Sequence, residues 1–280
     1  MSASHAGTWQ GARPQWRRGT AVLGGVLLLL FVLCAAAPGL LSPYDPNHLD
    51  YLALLKPPSG AHPFGTDNLG RDMLSRVIWA APVDLQIAVF CTAFPLVFGT
   101  LAGAFVGYYG GLIDTVFGRL VDLTITVPFL ILVIAIVAML GPGLVNLYIA
   151  VSVVGWVPYA RLLRSEMMVQ ASRDYVAAAR VMGFGTSRII FGQLFPNVIT
   201  PTIIYWMTDL SLCVLLGSSL GYLGLGAQPP TAEWGVLIAD GKNFITTAWW
   251  MSIFPGAAIV AAGLSFSLLG DAAVGWVSPE

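Results

Sequence analysis

Charge is what this sequence has least of. Asp, Glu, Lys and Arg make up 10% of its 280 residues, against 57% apolar ones. A soluble domain devotes about a quarter of its residues to charge, because its surface must face water. A chain this poor in charge cannot coat a globule of this length, so a soluble class is excluded. The mean hydropathy of +0.79 agrees. Membrane lipid is the partner that covers most of the surface.

Catalytic and ligand-binding motifs are missing too. No G-x-x-x-x-G-K-[ST] run occurs, so the chain has no loop to cradle nucleotide phosphates and is not itself an ATPase. There is no H-E-x-x-H pair for a zinc centre. The three cysteines, Cys34, Cys91 and Cys213, each sit inside an apolar run without a partner at metal-ligand spacing. They read as small packing residues. Gly217-Ser218-Ser219-Leu220-Gly221 matches G-x-S-x-G, but a serine nucleophile needs a base within hydrogen-bond reach. His5, His48 and His62 all fall outside the apolar runs, so an intramembrane protease is disfavoured. A net charge of −1 and the lack of a basic patch beyond short loop clusters give no sign of nucleic-acid binding.

What the sequence does have is long apolar runs. A spanning helix needs roughly 20 mostly apolar residues. Six segments qualify: 21–41, 85–108, 123–140, 144–163, 198–225 and 250–274. The expected fold is therefore all-α integral membrane, with a cytoplasmic tail at 1–20 and one membrane domain over 21–280. Six spans with the N-terminus inside place Arg13, Arg17, Arg18, Arg119, Arg161, Arg164, Arg173, Arg180 and Arg188 in the cytoplasm. Lys56, Arg71, Arg76 and Lys242 then lie outside, nine against four, which favours both termini inside. Arg17–Arg18 before an apolar run ending in alanines also resembles a secretory signal. The run continues through Pro38-Gly39-Leu40-Leu41 and five spans follow, so it reads as a retained anchor. A lipoprotein reading of Cys34 fails on Leu33, where a small residue is wanted.

Within the second span Gly99, Gly103 and Gly107 recur every four residues, which lets a neighbouring helix approach closely. Packing inside one subunit explains this without a function. Before that span, Thr66 suits an N-cap. Leu69, Met73, Val77 and Trp79 or Ala80 follow at near-helical spacing, with Asp72 and Arg76 four apart. This predicts an amphipathic helix on the outer membrane surface.

The loop between spans four and five, about 165–197, is the most informative. Asp174 suits a helix start and Gly183 its stop, Ser187 can begin a second helix, and Pro196 closes it. Ala177, Ala178 and Ala179 leave a smooth surface that fits another protein's groove. On pattern alone, a connector packed against its own bundle fits as well. Asp209 is the one candidate charge near the middle of a span, the fifth, a costly placement that suggests function. It either hydrogen-bonds Thr208, Ser211 or a partner, or lines a pathway for cationic cargo. An ion-coupled secondary transporter is the alternative from another class, but no internal repeat is detected.

The run Asp174-Tyr175-Val176-Ala177-Ala178-Ala179-Arg180-Val181-Met182-Gly183, with Pro196 thirteen residues later, resembles the "EAA" loop of binding-protein-dependent ABC permeases. Gly65-Thr66-Asp67-Asn68-Leu69-Gly70-Arg71-Asp72 is similar to a run in dipeptide, oligopeptide and nickel permeases. Gly221–Gly226, Pro229–Gly235 with Glu233 and Trp234, Phe254-Pro255-Gly256 and Leu268–Asp271 resemble the same group, in order, over most of the chain. The resemblance is to the C-type permease of a type I ABC importer (MetI-like) fold.

That resemblance implies several things. A second, B-type permease completes the pathway. One or two kinds of ATPase subunit bind ATP and Mg, none of it held by this chain. An extracytoplasmic binding protein delivers peptides, or nickel and other metal chelates, at the bacterial cytoplasmic membrane. Asp174, Tyr175, Ala177, Ala178, Ala179, Arg180, Gly183 and Pro196 become the coupling element to the ATPase. Gly65, Thr66, Asp67, Gly70, Arg71, Asp72, Glu233 and Trp234 become outer docking candidates. The sequence departs from the family in carrying Ala177 where the motif's glutamate stands, which excludes an ion pair from that position.

Overall fold

The computed structural model describes residues 15–277. Of the predicted tail, residues 1–14 lie outside them, and 15–20 already belong to the first helix. The regular elements of the described residues are all helices, with long loops at 42–72 and 223–233, a single isolated bridge between Thr66 and Asp72 and no strand. In order the helices are α1 (Gln15–Ala36), α2 (Pro38–Leu41), α3 (Met73–Tyr109), α4 (Gly111–Ile125) and α5 (Phe129–Leu140). Then come α6 (Leu144–Ala171), α7 (Asp174–Val181), α8 (Thr186–Ile189), a π-turn at Ile190–Leu194, α9 (Phe195–Tyr222), α10 (Trp234–Gly241) and α11 (Trp250–Val277). Five helical stretches among the described residues are long and apolar enough to cross a membrane, and the count is six if the bent pair α4–α5 is one broken span.

Helix breakers explain where the structure departs from the predicted spans. The first span ends at Ala36 rather than residue 41, because Pro38 bars Ala37 from helical geometry (φ −139°, ψ 56°). The third is broken between α4 and α5 by a 79° bend just before Pro128. Its apolar half, twelve residues long, is too short to cross alone. The fourth runs on to Ala171, since nothing interrupts it.

Two expectations are corrected outright. The amphipathic outer helix is not a separate surface element, for α3 runs 37 residues through it into the second span and buries Met73, Arg76, Val77 and Ala80. Its cap is Asp72, whose carboxylate accepts from Ser75 N–H, and not Thr66. Pro196 does not close a helix either. The π-turn carries the chain directly into α9, where Pro196 sits in the first turn and its missing N–H leaves no orphan. The second loop helix begins at Thr186, with Gly185 rather than Ser187 before it.

The bundle is organised around α3 against α6. A Cβ at Gly99 would run into the Trp156 carbonyl, at Gly103 into that of Ala160, and at Gly107 within 2.6 Å of the Arg164 carbonyl oxygen. The glycines therefore pack inside one chain, as their spacing allows. Asp114 of α4 accepts bidentate bonds from Arg164 of α6, fixing the broken span to the same helix. Around this axis α9 packs on α3, α6 and α11, while α1 lies along α11.

Gly103→Val should force α3 and α6 apart and destabilise the protein by about 1–3 kcal/mol, the usual penalty of overpacking. Gly118→Ala, where a Cβ meets nothing within 4 Å, should leave the melting temperature in detergent unchanged. Equal melting of both variants would contradict this packing.

Candidate functional site

One end of the bundle presents α7. Val176 and Ala179, three apart, are buried against Ala104 of α3, Leu163 and Met167 of α6, and Ile189, Ile190, Leu194 and Val198. The helix ends as its glycine requires. Gly183 adopts φ +78°, its N–H bonds Arg180 O at 3.0 Å, and Phe184 N–H bonds Ala179 O at 3.1 Å. Those two bonds are the Schellman pattern, which satisfies the last carbonyls. Asp174 stands in the first turn and Arg180 in the last, each at the end of the helix dipole that suits its charge.

One face of α7 packs against its own bundle and the other is exposed. Only Ala179 of the three alanines is buried, so the smooth surface is narrower than the sequence suggested. Asp174, Tyr175, Ala177, Ala178 and Arg180 remain exposed, and Val181 is 89% exposed. The Arg180 guanidinium lies 5.3 Å from the Tyr108 ring centroid, and the Tyr175 hydroxyl donates to Gln170 Oε1 at 3.2 Å. A rigid, capped helix thus offers small and apolar side chains outward from a buried footing.

At the opposite end the eight docking candidates are all buried, and their bonds are made within this chain. Thr66 Oγ1 accepts from Lys56 N–H at 2.8 Å. Asp67 accepts from the N–H groups of Leu69 and Arg71 and from Arg71 Nε at 2.6 Å. Gly70 at φ +77° lies against the Asp50 backbone, where no side chain fits. Asp72 pairs with His62 at 2.9 Å instead of Arg76. Arg76, 1% exposed, faces Asp240 at 3.7 Å and Asp67 at 3.9 Å. Burial raises the Asp240 carboxyl above its ordinary range, and Arg76 and Arg71 oppose that shift. With Asn68 and Thr231 these groups line a polar cavity of about 180 Å³.

Glu233 caps α10, accepting from Gly235 N–H at 2.7 Å and Val236 N–H at 2.9 Å. Trp234 sends its indole N–H to Val77 O at 3.0 Å, tying α10 to α3. In mid-bundle Asp209 is half-buried and accepts a 2.6 Å bond from the Tyr159 hydroxyl. Thr208 and Ser211 are not its partners; Ser211 bonds Gly263 O instead.

A family model described as binding-protein-dependent transport system inner membrane component matches residues 99–280. The chain belongs to that family. A second model, the N-terminal TM domain of oligopeptide transport permease C, matches residues 8–58. The permease is 41% identical to the di/tripeptide transport system permease protein DppC of Pseudomonas aeruginosa, over 89% of this chain and 84% of that protein. It is 37% identical to the dipeptide transport system permease protein DppC of Haemophilus influenzae, over 89% and 88%. The glutathione transport system permease protein GsiD of Pectobacterium atrosepticum is 34% identical over 92% and 88%. This is a multi-pass membrane transport subunit, and the ion-coupled alternative is not favoured.

Sequence reasoning missed three groups in the permease. Tyr159 carried no signal, being one aromatic among many. Asp240 and Asp84 escaped because one lies in an outer helix and the other a residue before the expected span at 85. Asp84 makes a second acid inside the bundle, where only Asp209 was counted.

In the loop that carries α7, Gly183→Val forces a β-branched residue into left-handed backbone, at about 1–2 kcal/mol. Its local effect should be fraying of α7, read as faster proteolysis at 181–185 with the bundle's melting unchanged. A cleavage rate equal to wild type would contradict the Schellman stop.

Proposed function

We propose that this permease forms half of the pathway by which a bacterial ABC importer carries di- and oligopeptides across the cytoplasmic membrane. The observation that carries the cargo assignment is the 41% identity to a di/tripeptide permease over nearly the whole chain. A glutathione relative extends the same size class to a tripeptide. In this reading a second, B-type permease completes the channel. One or two kinds of ATPase chain bind ATP and Mg beneath it, and an extracytoplasmic binding protein delivers cargo. The excess of arginine on one side supports both termini in the cytoplasm.

The exposed face of α7 seats in an ATPase cleft. Asp174, Tyr175, Ala177, Ala178 and Arg180 make the contact, Ala179 and Gly183 hold the helix in shape, and Pro196 leads into α9. Differential contact with the two nucleotide states drives the change of access. At the outer end, residues 65–72 with Glu233 and Trp234 shape the surface on which the binding protein or sister permease docks. Asp209, held by Tyr159, lines the pathway and favours cationic cargo.

Reconstituted with its co-purifying chains and binding protein, the permease should take up labelled dipeptide only when ATP is supplied. Uptake by this chain alone under an ion gradient would overturn the proposal. Asp209→Asn should slow uptake of a lysine-containing dipeptide about fivefold relative to a neutral one, corresponding to about 1 kcal/mol for one charge contact. Equal loss for both would remove Asp209 from selectivity.

A further inference from the structure

Asp84 of α3 and Glu233 at the start of α10 are both 0% exposed, and the backbone N–H next along the chain from Glu233, that of Trp234, donates to Asp84 Oδ2 at 3.2 Å, which brings the two acids together. Ionised carboxylates have acceptors only, so a bond between them requires a proton on one. Two neighbouring acids buried away from water without a cation do not both ionise. Among the described residues neither group has a cationic partner, since the salt bridges of this end are made by His62, Arg71 and Arg76 to other acids.

The remaining bonds locate the proton. Both oxygens of Glu233 already accept from backbone N–H groups in the first turn of α10, an arrangement that favours negative charge there. Burial pushes the Glu233 carboxyl up, while those two N–H bonds and Asp84 pull it back down. Asp84 accepts from Trp234 N–H at 3.2 Å and from the Ser218 hydroxyl of α9 at 3.4 Å. Tyr148 of α6 lies within electrostatic reach of Asp84. From α1 and α11 the surrounding core receives Phe31, Ile259, Ala262 and Phe266, none of them titratable. The backbone packs closely around the pair. A Cβ at Gly221 would collide with Glu233 Oε2, and one at Gly235 with the Ser218 carbonyl.

We propose that Asp84 and Glu233 are positioning residues that hold one proton between them, with Asp84 the donor, and so lock α10 onto α3 and α9. The outer helix then moves with those two spans as one body during transport. The transport family and the peptide cargo do not themselves require this link.

The test uses the assembled transporter in lipid nanodiscs. Infrared spectra at neutral pH should show the C=O stretch of a protonated carboxyl that survives Asp209→Asn and disappears in Asp84→Asn. The proton is bound when folded but absent from an unfolded carboxylate above its ordinary range. Folding should therefore weaken as pH rises, by up to about tenfold in equilibrium constant per pH unit. Asp84→Asn donates an amide N–H to Glu233 without titrating, so it should lose that pH slope and recover most of the melting temperature that Asp84→Ala loses. A band that survives in Asp84→Asn, a slope retained by it, or damage equal to Asp84→Ala would each overturn the proposal. If Asp84→Asn fails to assemble, the neutral-donor role is likewise overturned.

Discussion

Bare backbone along one face of α3 is the constraint on which the rest of the structure depends. At Gly99, Gly103 and Gly107 the carbonyls of α6 occupy the space that side chains would fill. Lipid gives two apolar helices little hydrophobic reason to associate, so close van der Waals approach has to supply it. Because α6 is fixed this way, its inner end projects to Ala171 and delivers the chain to α7 at a defined place. The buried Val176 and Ala179 then set the rotation of α7, which decides that Ala177 and Ala178 face outward. A transport subunit needs a stiff link of this kind, because a load applied to a loosely held loop would not reach the spans.

The outer end achieves the same rigidity by different chemistry. Here the chain is polar, and charges are buried in pairs rather than exposed. Asp67 and Asp72 satisfy backbone N–H groups of 69–75, Asp67 pairs with Arg71 and Asp72 with His62, and Glu233 closes the first turn of α10. Removing one member of such a set leaves its partner desolvated and unpaired, which is why buried polar groups act together. The residues that resemble a family signature are therefore mostly the scaffold of the outer surface.

Much of this was legible in the sequence. Scarce charge and long apolar runs required a membrane bundle, the glycine spacing foretold a close helix pair, and Asp174 with Gly183 bracketed α7 to within two residues. What periodicity could not reveal was continuity. Nothing in 69–80 distinguishes a surface helix from the first turns of a buried span, because both need one apolar face. Pro196 reads as a stop unless a π-turn is known to precede it. Burial of the outer signature was hidden for a related reason: Asp, Arg and Thr are normally exposed, and only tertiary pairing makes them interior residues. Asp84 stood at a span boundary, the least certain part of any such reading.

The central claim is that α7 transmits force between an ATPase subunit and the bundle, and site-directed cross-linking measures it most directly. A cysteine replacing Ala178 in the assembled transporter, treated with a short thiol-reactive linker, should join this chain to an ATPase chain, with a yield that changes between ATP-bound and nucleotide-free states. A cysteine replacing the buried Ala179 should not react. Cross-links confined to this chain's own helices, or equal yield in both nucleotide states, would contradict the account.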